Sequence, residues 1–186
     1  MKNQLLLTFC LLITLMTACK DATPKEEAKT AAPTVAAAPT VTAPVEFADM
    51  KYADILKTGQ AALAKGDVAA WLTSFADNAV YSWGNGDSLA GKPAITQYWT
   101  KRRAEVIDSI SFSNHILLPI KVNNPQSIEA PGIWVLSWYM INAKYKPSGK
   151  RMVQWSHADA HFNADGKIDR LIQYLDMAKV NAAMKK

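Results

Sequence analysis

Cysteine is nearly absent. The 186 residues hold two, Cys10 and Cys19, and none beyond position 19. Everything after that point lacks a disulfide, a thiolate nucleophile and a thiolate metal ligand, so a domain there must be held together by its core alone. No HExxH-type motif occurs either, and no metal site or cofactor is expected. Arginine-rich arms are missing. The formal charge is +5, of which Lys2 supplies one, and the basic residues are scattered apart from Lys101-Arg102-Arg103 and Lys185-Lys186. That pattern argues against nucleic acid as a partner and fits a solvated surface with mild attraction to anionic envelope components. A long membrane span is lacking too: the apolar stretch Met1–Ala18 falls short of the ~20 residues that a bilayer needs.

What that stretch does have is one lysine near its start, an apolar run and small residues at its end, the plan of a secretory signal peptide. Met16-Thr17-Ala18-Cys19 resembles a bacterial lipobox, in which the signal peptidase cuts before a cysteine that carries lipid. Cys19 is then the lipidation site, and the membrane is a partner through it. An ordinary signal peptide with an incidental cysteine is the plainer alternative. Residues 19–46 are rich in Ala, Pro and Thr without helical or strand period, which reads as a disordered tether. The expected location is the bacterial cell envelope, lipid-anchored to the outer membrane on its periplasmic or surface face. Lys20-Asp21 is similar to a surface-export signal.

Residues 47–186 suit one domain with one core. Ile55, Leu56, Gly59, Ala62 and Leu63 make one stripe of a first helix over Tyr52–Lys65, with Gly66 as its stop. Asp67 is placed to cap a second helix carrying Val68, Trp71, Leu72 and Phe75, which Asp77-Asn78 breaks before a strand over Val80–Trp83. Pro93 opens a third helix whose inner stripe is Ile95, Tyr98, Trp99, Arg102 and Val106. The rest reads as strands over Ile110–Asn123, Gly132–Tyr145, Met152–Phe162 and Lys167–Asp176, then a short terminal helix. Helices followed by a meandering antiparallel sheet define an α+β class.

Gly66-Asp67, Phe75-Ala76-Asp77-Asn78-Ala79-Val80, Gly91-Lys92 with Tyr98-Trp99, and Phe162 with Asp165-Gly166-Lys167-Ile168 and Tyr174 together resemble the NTF2-like superfamily, closest to its SnoaL-like and ketosteroid-isomerase branch. The resemblance covers about Tyr52 to Asp176. It implies three N-terminal helices packed in a strongly curved antiparallel sheet, a cone with an apolar interior, and a homodimer through the outer sheet face. It also tests function. The isomerase chemistry needs a helix tyrosine, a carboxylate base and a protonated aspartic acid. Those slots fall on Gly59, Trp83 and Ala158, none of which moves a proton.

Trp155, His157, Asp159 and His161 alternate and share one strand face. If that face pointed inward, His157, Asp159 and His161 with Tyr81 would make an acid/base site of the dehydratase, isomerase or cyclase kind. The family register instead turns Gln154, Ser156, Ala158, Ala160 and Phe162 inward. Asp176 has two readings, a cap for the terminal helix or a partner for Arg170. Arg102 and Arg103 read as solvated helix ends unless one reaches the cone rim, and His115 reads as a strand surface residue. Six tryptophans in one small domain either fill the cone or line a pocket for a planar or apolar small molecule. The pocket reading puts Trp83, Tyr98, Trp99, Trp138, Gln154 and Ser156 around the ligand.

Overall fold

The computed structural model describes residues 42–127 and 129–186. The expected signal peptide, Cys19 and most of the tether lie outside them. None of the described helices is long and apolar enough to cross a membrane.

Helix α1 runs Lys51–Lys65 and ends at Gly66, whose φ of 88° is the left-handed conformation that glycine adopts without strain. Asp67 follows directly and caps α2 (Val68–Leu72), accepting from the Ala70 amide at 2.8 Å. This pair of residues folds the two helices back on each other. Gly59 lets them close: a Cβ there would stand 2.8 Å from Trp71 Cδ1.

The second helix is shorter than its apolar period indicates. It stops at Leu72, and strand β2 already begins at Phe75 and runs to Trp83. Thr73 and Ser74 give the reason, because their hydroxyls donate to the carbonyls of Ala70 (2.7 Å) and Trp71 (3.0 Å) and compete with the helix ladder. Asp77-Asn78 therefore lies inside β2, where the strand register shifts, and not in a helix-breaking turn.

After β3 (Ser88–Ala90) comes α3 (Lys92–Lys101), which continues into a π-helical turn over Arg102–Val106. Strands β4 (Ile107–Val122), β5 (Gly132–Tyr145), β6 (Arg151–Phe162) and β7 (Ile168–Tyr174) complete the sheet, and α4 (Met177–Met184) closes the chain. Strand β1 (Val45–Phe47) pairs with β4, two residues ahead of the expected domain start. The strand order is β1-β4-β5-β6-β7-β2-β3. The sheet is antiparallel except that β2 runs parallel to β7.

Register shifts in β4, one of them at Asn114 with φ 53°, mark bulges that bend the long strands around the helices. The result is a mixed α+β cone; among the described residues it holds four α-helices, the three N-terminal ones and the short terminal one expected. Trp71, Phe75, Tyr81, Ile95 and Tyr139 are buried in its core. Asp176 resolves to the cap: its Oδ1 accepts from the Ala178 and Lys179 amides at the start of α4.

Candidate functional site

The inward side chains of the central strands are small. Ser137, Ala143 and Ala158 face the helices, and the room they leave is a cavity of about 220 Å³. Large aromatics enter it from elsewhere. Trp83 ends β2, while Tyr98 and Trp99 project from α3, and all three line the cavity. Their rings pack edge to face, Trp83 against Tyr98 at 5.3 Å and Tyr98 against Trp99 at 5.7 Å.

The inner wall is polar but neutral. The Tyr81 hydroxyl donates to Gln173 Oε1. Gln173 Nε2 donates to the Tyr139 oxygen at 3.4 Å and to Ser156 Oγ at 3.5 Å. Burial raises Tyr81 well above the ordinary phenol range, and it pushes Tyr139 up to about 12. Both phenols therefore stay protonated at neutral pH. His115 closes this network from outside. Its Nε2 lies 2.7 Å from Gln60 Oε1, an amide oxygen that only accepts, so Nε2 carries the proton. His115 is thus not a strand surface residue: the bulge at Asn114 turns it partly inward, and burial lowers its pKa.

Two donors stand apart from this satisfied network. Trp99 is 7% exposed, and its buried Nε1 has no acceptor among the described residues. Arg102, one helical turn further, also lines the cavity. Its guanidinium lies 5.9 Å from the Tyr98 ring. Among the described residues it has no carboxylate in ion-pair range. Its neighbour Arg103 instead donates to the carbonyls of Ile107 and Ala64. The one carboxylate in the lining is Asp87, exposed at the mouth and accepting from Asn85 Nδ2 at 2.7 Å.

The other expected site residues fall elsewhere. Trp138 points to the outer face, where its ring lies 4.5 Å from that of His157 at a tilt of 35°, because Ser137 faces inward and successive strand residues alternate. Gln154 and Ser156 are buried on the inner face but do not line the cavity. Gln154 Oε1 accepts from the Asp176 amide and holds the start of α4, while Ser156 donates to the Tyr174 carbonyl.

His157, Asp159 and His161 stand on the outer face and cannot reach a molecule in the cone. His157 Nε2 lies 2.8 Å from Asp159 Oδ1, and His161 Nδ1 lies 2.6 Å from Asp169 Oδ1. Tyr81 alone of the proposed acid/base set lines the cavity, and its hydroxyl is engaged by Gln173. The sequence reading missed Gln60, Gln173 and Asn85. Three isolated amides, far apart in the chain, carry no motif that would flag them.

Cone, cavity and strand order define an NTF2-like fold. Residues 59–171 match the model of the SnoaL-like domain, and the chain belongs to that family. Among solved structures, a candidate polyketide cyclase from Xanthomonas campestris is similar at 15% identity and a TM-score of 0.59, over 73% of this chain and 98% of the other. A candidate isomerase from Bacillus subtilis is similar at 19% identity and a TM-score of 0.57, over 72% and 91%. An LEH-like epoxide hydrolase from M. tuberculosis is similar at 16% identity and a TM-score of 0.52, over 73% and 90%. At these identities the likeness is one of fold. No curated protein sequence matches the chain.

Proposed function

We propose that this SnoaL-like domain holds a small apolar or aromatic molecule in its cone, with no reaction assigned to it. The observation that carries the reading is the cavity of about 220 Å³ walled by Trp83, Tyr98 and Trp99. An apolar cavity of roughly 150 Å³ already accommodates benzene, so one or two rings fit here. Catalysis is left out for a specific reason. The isomerase slots hold Gly59, packed against Trp71, and Trp83 and Ala158 in the cavity wall. The histidines and their aspartates lie on the other side of the sheet. Native mass spectrometry of the full chain tests this. A retained small-molecule mass, lost on denaturation, is the expected result. A bare protein mass, together with no thermal stabilisation by saturating naphthalene, would overturn it.

A second reading concerns the outer face, where Ile116, Trp155, Val153 and Tyr174 are 52%, 50%, 54% and 42% exposed. Ile116, Trp138, His157 and Tyr174 form one row across four strands. A contiguous apolar-aromatic face of this kind marks a partner surface, and a second copy of the chain is the proposed occupant. The proposed setting is the bacterial envelope, supported by Met16-Thr17-Ala18-Cys19. Cys19→Ala should move the protein from the membrane fraction to the soluble one, and unchanged fractionation would count against lipidation.

A further inference from the structure

The geometry points to an aromatic or apolar carboxylic acid as the ligand of the cone, its rings among Trp83, Tyr98 and Trp99 and its carboxylate on Arg102. This rests on the binding reading above and narrows it.

Trp99 closes the wall with its ring, its Nε1 sealed from the cavity. Arg102 adds guanidinium N–H donors one turn along the same helix face and has no carboxylate partner among the described residues. A guanidinium donates and never accepts. Deeper in the wall, Tyr81 is paired with Gln173, Gln173 with Tyr139 and Ser156, and Ser137 Oγ with the Ala158 carbonyl. The complementary ligand end accepts, and the charge and two oxygens of a carboxylate match the guanidinium fork better than an alcohol or amine. Asp87 does not oppose it from the depth of the cone, since it is exposed at the mouth and engaged by Asn85. The aromatic walls set the other end of the molecule, which must be flat or apolar to displace water from them.

Three compounds of one shape separate the components: 2-naphthoate, 2-acetonaphthone and 2-isopropylnaphthalene. They present a charged acceptor, a neutral acceptor and none. Binding to the full chain is measured by titration calorimetry. Arg102→Gln is expected to weaken 2-naphthoate about tenfold or more and to leave 2-isopropylnaphthalene within about twofold, since no polar contact is lost there. Arg102 is only half-buried, so its variant should keep the fold. Naphthoate binding that is unchanged in Arg102→Gln, or absent in a wild type that binds the hydrocarbon, would overturn the acid and leave the cone a binding site. Failure of all three compounds to bind would overturn the cone reading itself.

Discussion

The two faces of β6 run the same 12 residues and carry opposite chemistry. Inward stand Met152, Gln154, Ser156, Ala158, Ala160 and Phe162, all buried and all neutral. Outward stand Val153, Trp155, His157, Asp159 and His161, with both histidines paired to aspartates. The small inner residues make space, and the outer ones spend their polarity on each other. The cavity lining carries one cation without a carboxylate partner among the described residues, Arg102, and one carboxylate, Asp87, at its mouth, which is the basis of the proposed ligand. A paired, aromatic outer face favours a surface that meets another surface.

The sharpest way to break this contrast is to put a carboxylate on each side. Ala158→Asp buries a charge in the cone wall at a position 3% exposed. It should cost about 3 kcal/mol or more, read by denaturant unfolding. Trp155→Glu, at a position 50% exposed, should cost the folded chain no more than about 1 kcal/mol. Its effect should appear in assembly instead: a dimeric wild type in sedimentation and a monomeric variant. A wild type that sediments as a monomer would remove the second-copy reading. Equal costs for the two variants would mean that the faces differ less than their exposure shows.

A smaller effect separates the polar networks. Tyr81→Phe leaves Gln173 Oε1 buried without its donor and should cost about 1–3 kcal/mol. Asp169→Asn weakens the pair with His161, whose carboxylate side is 29% exposed, and should cost no more than about 1 kcal/mol. The reverse order would place the structural network on the outer face.

Part of this contrast was legible in the sequence. β6 alternates small neutral residues with charged and aromatic ones, so period two assigns its faces once the inward phase is known. Gly66-Asp67 likewise states the turn between α1 and α2. Strand β5 was not legible in that way. Ile133, Val135 and Tyr139 alternate with Trp134, Leu136 and Trp138, apolar on both faces, so the sequence carries no phase that separates Trp138 from the cavity residues. Phe75 continues a helical period that Thr73 and Ser74 terminate through their own hydroxyls. The amides of the inner network come from α1 and β7, and only the folded sheet brings them to Tyr139.

The smallest predicted effect is in pH dependence, where the two sides have opposite signs. Burial and then Lys57 hold His115 below its ordinary value of 6.5. The unfolded chain then binds more protons than the folded one just below that value. The His115 contribution to stability is therefore present above pH 6.5 and lost as pH falls through and below it. Asp159 behaves the other way. Burial raises its carboxyl above 3.8, with His157 opposing, so the folded chain binds more protons. Its contribution is present below 3.8 and lost as pH rises through the folded value. Melting temperatures across pH 4 to 8, on the order of the spread of these ordinary pKa values, should separate the two. His115→Asn should flatten the fall in stability below 6.5, and Asp159→Asn should flatten the fall on raising the pH from about 4. Curves parallel to the wild type in both variants would show that neither group feels the burial that its face imposes.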